Sequence, residues 1–295
     1  MRLRILLICL AAWLAALPAA AETVLYAASN RAHFTAGATT GIWCNLYRVD
    51  PATGKFVLLA PVRVNDQATI TIVTLAIHPS TEAVYAASGP RSPTAPNSLL
   101  MLDPRSGKAD VVGPIGHVVS DLAFTEDGRL YAWLPEESRL AKLDAASGAA
   151  TLFPPSGITG EPGGGGFVID DKDVGYVAAS GAVGTLDRVD IKTGKVTPGP
   201  HLAGAPFPAA ISNLTFSPDD RMYAVNSNMG APAATALVTI DPASGKVQEI
   251  GKLPNDSHAL IFVPHDPLTT WLWVGAGVVA AVAGWAIFAW RRKGP

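Results

Sequence analysis

The sequence predicts an all-β fold, a single β-propeller of five four-stranded blades followed by one C-terminal transmembrane helix. Three observations carry the propeller. A D-x-x-[ST]-G turn occurs five times, a tyrosine-centred strand keeps the same beat, and no segment between the chain ends sustains a 3.6-residue apolar period.

The turns set the period. They are Asp50-Pro-Ala-Thr-Gly54, Asp103-Pro-Arg-Ser-Gly107, Asp144-Ala-Ala-Ser-Gly148, Asp190-Ile-Lys-Thr-Gly194 and Asp241-Pro-Ala-Ser-Gly245. Their spacing of 41 to 53 residues is that of a repeat architecture. Leucine stands four residues before each aspartate (Leu46, Leu99, Leu140, Leu186, Leu237), and Val49, Leu102, Leu143, Val189 or Ile240 stands immediately before it. A strand therefore ends at each turn. The aspartate can accept hydrogen bonds from backbone groups further round, and glycine supplies the positive φ of a tight link, so the motif reads as geometry rather than chemistry.

The second element is built on Tyr26, Tyr85, Tyr131, Tyr176 and Tyr223, five of the six tyrosines. The third is a short apolar run entering a polar turn: LAIHPSTEA at 75–83, LAFTEDGR at 122–129, FVIDDKDV at 167–174 and LTFSPDDR at 214–221. In chain order a repeat is strand, turn, tyrosine strand, loop, leucine strand, turn and a last strand, which makes a four-stranded propeller blade. The propeller part of the mature chain opens on a tyrosine strand and closes with an orphan first strand at 259–263, so its two ends are expected to complete one blade and leave no open seam. The count is five; six would follow if the irregular stretch 61–74 held further strands. A TIM barrel is set aside because nothing helical separates the strands.

The ends read differently. Residues 1–21 have the charged start, apolar run and Ala19-Ala20-Ala21 cleavage site of a signal peptide. The expected organisation is signal peptide 1–21, propeller 22–264, linker 265–270, transmembrane helix 271–290 and cytoplasmic tail 291–295. The span 271–290 holds no charged residue and is followed by Arg291-Arg292-Lys293. That places the chain in a bacterial inner membrane, single-pass, with the globular part in the periplasm and the C-terminus in the cytoplasm. Ala276, Ala280 and Gly284 form a small-residue stripe that would allow self-association or packing on a partner helix. Seven residues, 264–270, reach at most about 25 Å, which would bring the turn face and Lys55, Lys108, Lys195 and Lys246 to inner-membrane lipid. Without the signal peptide one cysteine, Cys44, remains; it forms no disulfide and reads as a buried small hydrophobe.

Phrases such as LTFSPDDRMYAV and LVTIDPASGKV resemble those of extracytoplasmic β-propellers of the YVTN, NHL and SMP-30-like kind, over about residues 24–264. The resemblance specifies blade architecture. Quinoprotein blades are also similar in the D-x-x-[ST]-G-K phrase, but they typically carry a tryptophan shortly after it, and these five lack one, so no cofactor is expected.

Two groups of residues are candidates for binding. Thr74, Asp121, Asn213 and His258 enter the innermost strands and should ring the channel mouth, where they could hold a small polar ligand or a cation. Asn30, Arg31, His33 and Trp43 lie in or beside the longest loop, about 30–43, on the face shared with loops 89–97 and 228–235 of neighbouring blades. No Ser-His-Asp or paired-carboxylate arrangement is legible, so no catalytic residue and no metal ligand is assigned. A net charge of −2 with 49% apolar content gives no basic surface for nucleic acid. The leading expectation is a non-enzymatic binding or scaffold module for an envelope or membrane protein or ligand. Its rival is a metal-dependent lactonase or esterase with its site at the channel mouth.

Overall fold

Each D-x-x-[ST]-G turn joins the third and fourth strands of an antiparallel sheet, and five such sheets occupy Leu25–Val263. The computed structural model describes residues 23–35, 38–66, 70–156, 165–178, 184–207, 210–228 and 234–264, and every regular element among them is a strand. The transmembrane helix expected at 271–290, with Ala276, Ala280 and Gly284, lies outside the described residues, as does the signal peptide.

Strands β1 (Val24–Thr35), β2 (Ala38–Val49) and β3 (Phe56–Pro61) form the outer part of blade 1. After the two-residue β4 (Arg63–Val64), blade 2 holds β5 (Ile72–Ile77), β6 (Val84–Ser88), β7 (Ser98–Leu102) and β8 (Lys108–Pro114). Blade 3 holds β9 (Asp121–Phe124), β10 (Leu130–Leu134), β11 (Arg139–Leu143) and β12 (Ala150–Leu152). Blade 4 holds β13 (Phe167–Ile169), β14 (Val174–Ala178), β15 (Leu186–Asp190) and β16 (Val196–Thr197). Blade 5 holds β17 (Ala210–Phe216), β18 (Met222–Asn228), β19 (Ala234–Ile240) and β20 (Val247–Lys252). The last strand, β21 (Ser257–Val263), pairs with β1, giving blade 1 the order β21-β1-β2-β3. The two ends of the propeller thus complete one sheet, as the orphan strand implied.

The stretch 61–74 does not hide a sixth blade. Within it β4 adds to the rim of blade 2, parallel to β8 with Arg63 opposite Lys108, while Val62, Val64 and Ile70 are buried. The expected loop at 30–43 is also different: β1 and β2 continue as a long hairpin, paired to Thr35–Ala38. Its Thr, Phe, Ile and Trp residues suit extended backbone, and pairing satisfies N–H and C=O groups that a loop would leave to water.

Burial follows the radius. The innermost strands are almost wholly buried, whereas β3, β12 and β16 at the rim are largely exposed. The core lies between blades, and the repeated tyrosine belongs to it. Tyr85 meets Phe124 of the next blade at 5.3 Å between ring centroids, Tyr176 meets Phe216 at 6.2 Å and Tyr223 meets Phe262 at 5.1 Å. Tilted and edge-to-face contacts at these distances are the favoured aromatic geometry. At these three interfaces the tyrosine of one blade thus packs on an aromatic of the next.

The aspartate turn acts within its blade and across it. In the first copy Ala52 N–H donates to Asp50 Oδ1 (2.9 Å), Thr53 Oγ1 donates to Oδ2 (2.6 Å) and Gly54 N–H donates to Asp50 O (2.8 Å). The turns at Asp103, Asp190 and Asp241 repeat this pattern. Donation by the turn hydroxyl is the leading reason why the Asp50 and Asp241 carboxyls are held below the usual carboxylate range. All five glycines have φ between 71° and 79°. They also face the rim of the preceding blade: a Cβ on Gly107 would lie 2.3 Å from Pro61 O, on Gly148 2.7 Å from Gly113 O, and on Gly245 2.2 Å from His201 O. Gly54 closes the circle against Gly251 of blade 5. Backbone bonds join the same places, from Arg63 N–H to Gly107 O (2.8 Å) and from Ala203 N–H to Gly245 O (3.0 Å). The repeated turn is a latch between blades.

Candidate functional site

Four innermost strands place the equivalent residues Thr74, Asp121, Gly166 and Asn213 at the axis, each opposite or bonded to the residue two places after the blade's tyrosine. By sequence, Ala259 before Leu260-Ile261-Phe262 is the fifth. Thr74, Asp121 and Asn213 are fully buried. Gly166 has no room for a side chain, since a Cβ there would lie 2.8 Å from Asn213 C, and with Ala259 it leaves the longer residues space to reach across.

Asp121 is the hub of this ring. Its Oδ1 accepts from Thr74 Oγ1, from Leu122 N–H (3.0 Å) and from Asn213 Nδ2 (2.7 Å). Its Oδ2 accepts from Phe167 N–H (2.8 Å) and Leu214 N–H (3.0 Å). Asn213 Oδ1 accepts from Leu260 N–H (2.8 Å), so one connected network touches all five blades. Burial, which disfavours the charged form, pushes the Asp121 carboxyl up to about 7, against the opposing pull of the hydrogen bonds from Thr74, Phe167, Leu214 and Leu122. Three of the four residues expected at the channel mouth thus meet, and their polar atoms satisfy one another.

His258 is not part of the network. It sits one residue before Ala259, partly buried, and burial pushes its imidazole down against the opposing effect of Asp256. Of the residues assigned to the long loop, Asn30 holds two blades together. Its Nδ2 donates to Ile72 O (2.8 Å) and its Oδ1 accepts from Ile72 N–H (2.9 Å), clipping blade 1 to blade 2. Arg31 pairs with Trp43, and His33 with Gly41, along the hairpin. Cys44, opposite Asn30, is buried, and desolvation pushes its thiol up to about 12, where it is unreactive.

At the other end of the innermost strands lies an axial cavity of about 520 Å³, within the range of small-ligand sites. Leu75, Leu122, Leu214 and Ile261 from four blades and Val168 from the fifth line it together with polar residues of the turns, such as Thr125, Asp170 and Ser217. The first-to-second-strand turns form its lip. Thr125 Oγ1 donates to Asp127 Oδ1 (2.5 Å), Ser217 Oγ donates to Asp219 Oδ1 (2.6 Å), and Asp170 accepts from Lys172 N–H, Val174 N–H and the Tyr176 hydroxyl. These groups shape the turns, whereas Glu126, Asp171 and Asp220 on the same lip are exposed and form no ion pair among the described residues. The sequence showed these turns as polar punctuation. That the turns of blades 2 to 5 converge on one opening became visible only with the ring closed.

Among the described residues no group of three His, Cys, Asp or Glu is placed to hold a metal ion. The sequence matches no family model and no curated protein. Among solved structures the chain is similar to one in a nidogen/laminin complex, at 9% identity and a TM-score of 0.53, covering 82% of this chain and 98% of that one. It is also similar to a Bacteroides fragilis protein provisionally described as a 6-phosphogluconolactonase, at 10% identity and 0.44, covering 82% and 98%. A Bacteroides caccae protein of unknown function gives 11% and 0.47, covering 82% and 99%. At such identity the likeness to the first is one of fold: the chain is an all-β propeller of five four-stranded blades.

Proposed function

We propose that the protein is a non-enzymatic binding propeller, anchored in a bacterial inner membrane through 271–290 and presenting its globular part to an envelope protein in the periplasm. The observation that carries the reading is the axial network. Both Asp121 oxygens are occupied by five donors and Asn213 is engaged at both ends of its amide, so the polar residues at the strand starts hold the ring together. A general base or metal ligand would need a lone pair directed at a reactant. The open recess is the cavity at the opposite end, whose mixed aliphatic and polar lining suits binding.

The test is metal analysis and turnover on the purified full-length chain. The expected result is no stoichiometric divalent ion, no hydrolysis of lactones or esters with or without added metal, and a melting transition unmoved by chelator. A tightly held ion accompanied by lactone or ester hydrolysis would overturn the reading in favour of the metal-dependent hydrolase.

A further inference from the structure

The outermost strand of a blade leaves a row of backbone N–H and C=O groups open, and proteins blunt such edges with charge, brevity or a covering segment. Four of the five edges here are blunted. β8 carries Lys108 and Asp110 and is partly covered by β4, β12 and β16 are three and two residues long, and β20 carries Glu249 and Lys252. β3 of blade 1 is different: six residues, FVLLAP, without a charge. Its Phe56, Val57, Leu58 and Leu59 are 44%, 65%, 56% and 39% exposed, four of the seven large exposed apolar side chains among the described residues. Successive side chains point to opposite sides of a strand, so apolar surface flanks this open edge on both sides. A contiguous patch of that kind marks a place of interaction.

The position of the strand selects the occupant. Both ends of β3 are tied to the repeated turns: it follows Gly54, and at its far end a Cβ on Gly107 would lie 2.3 Å from Pro61 O while Arg63 N–H donates to Gly107 O (2.8 Å). The strand therefore runs along the turn face from one blade to the next. In blade 1 Val49 lies opposite both Leu25 and Phe56, and Asn30 N–H donates to Asp256 O (3.0 Å), which sets the start of β21 beside the far part of β1. Val263 at the end of β21 is thus at the same end of the sheet as Phe56, about 14 Å away by three strand spacings. Only residues 264–270 separate Val263 from the uncharged span 271–290. A bilayer holding that span lies within about 25 Å of Val263.

Charge points the same way. Exposed Lys55 and Arg63 bracket the strand, and cations beside apolar side chains suit an anionic lipid surface. A second copy paired along β3 would meet the same cations with no acid in the strand to offset them. Phe56 stands edge-on to Tyr47 at 5.6 Å, and such rings favour the membrane interface. The open backbone sets the depth: its N–H and C=O groups find partners among water and headgroups but none in hydrocarbon.

Resting on the membrane-anchored reading, we infer that β3 of blade 1 docks on the anionic surface of the bilayer that holds the anchor. Phe56, Val57, Leu58 and Leu59 lie at headgroup depth, and Lys55 and Arg63 lie among the lipid phosphates.

The test uses the full-length chain with Cys9→Ser, Cys44 being buried and unreactive, held singly in nanodiscs of phosphatidylethanolamine and phosphatidylglycerol. A nitrobenzoxadiazole label is attached at Val57→Cys or at Thr151→Cys, which stands at the equivalent place after the blade 3 turn, and is quenched by brominated lipid. The expected result is loss of fluorescence at Val57→Cys and none at Thr151→Cys. The loss should shrink when phosphatidylcholine replaces phosphatidylglycerol, or at about 0.5 M salt. Adding Leu58→Thr and Leu59→Thr, which keep strand propensity, should abolish it with the melting temperature unchanged. Equal quenching at both labels would overturn the assignment of β3, since the turn face would then meet lipid without preference. No quenching at Val57→Cys would overturn the lipid contact, and crosslinking of that cysteine between copies in vesicles would put a second copy on β3 instead. A chain that stays out of nanodiscs would overturn the anchored reading itself, and the inference with it.

Discussion

Leu260 N–H donates to Asn213 Oδ1 at 2.8 Å, so the strand that arrives last in the chain is held by a side chain of the neighbouring blade. The Nδ2 of the same amide donates to Asp121 Oδ1 at 2.7 Å. One residue therefore joins ring closure to the axial hub, and an amide is needed because one end must accept and the other donate.

Asn213→Asp is predicted to be severely destabilising. The acceptor for Leu260 survives, but the donor to Asp121 becomes a second buried carboxyl facing the first. Like charges so placed cannot both ionise, and the cost is expected to be about 3–5 kcal/mol at neutral pH. Lowering the pH lets the pair share a proton, and because the Asp121 carboxyl is already pushed up to about 7 the loss should shrink as the pH falls from about 7 toward 4. Thermal melts of both forms across this range check the prediction. A uniform loss at every pH would mean that shape, not charge, is what the site demands.

The hub makes wild-type stability depend on pH in an unusual direction. An unfolded aspartate titrates near 3.9, whereas Asp121 in the ring is pushed up to about 7, so the folded state holds its proton more tightly. The stabilisation is full below about pH 4 and is lost as the pH rises to about 7, a difference of up to about 4 kcal/mol. His258 contributes the opposite slope: its lowered value favours folding as pH rises through the ordinary histidine range. The depressed turn aspartates act only below about pH 4. Denaturant melts of wild type and Asp121→Asn from pH 4 to 7.5 separate these contributions. The variant, though less stable throughout, should lack the falling component, and an identical slope would assign the pH dependence elsewhere.

The latch turns allow strain and contact to be weighed separately. Gly107 and Gly116 have similar φ, 72° and 78°, but a Cβ on Gly107 would lie 2.3 Å from Pro61 O, while nothing lies within 4 Å of one on Gly116. Gly116→Ala should cost only the left-handed conformation, about 1 kcal/mol. Gly107→Ala adds displacement of the blade 1 rim and should cost about 2–4 kcal/mol in all. Equal losses would show that the turn does not couple blades.

Much of this architecture was legible because propellers repeat. Five copies of Asp50–Gly54 and of the strand around Tyr26 fixed the period, the strand order and the closing role of 259–263. Thr74, Asp121 and Asn213 were placed at the axis by counting back from each apolar strand, and the structure brings them together. What they do there was not legible, because the hydrogen bonds that Asp121 accepts from Phe167 and Leu214 span 46 and 93 residues of chain. His258 stands one residue before Ala259, which by sequence is the position equivalent to Asn213. The cavity escaped for a similar reason: its acids look like ordinary solvated turns until the closed ring brings them round one opening.

Asn30 shows how position and role can part. By sequence it belongs to a long loop on a binding face. In the fold its amide makes a two-point clip to Ile72, the first residue of β5, and its N–H donates to Asp256 O (3.0 Å), so it touches the blade after its own and the turn that leads into β21. Asn30→Ala would leave Ile72 N–H and C=O without these partners at a position where Ile72 is fully buried. Each such group costs about 1–3 kcal/mol unless water reaches it, so a total loss of about 2–4 kcal/mol is expected. Asn30→Asp should be worse than a shape-preserving change suggests: the acceptor for Ile72 N–H remains, but a carboxylate oxygen then faces Ile72 O with no proton between them. A clip therefore predicts that both variants lower the melting temperature, and that Asp approaches Ala in severity at neutral pH but recovers when acid protonates it. If instead Asn30→Ala left the melt unchanged and weakened only capture of a partner protein, the residue would belong to a binding surface after all.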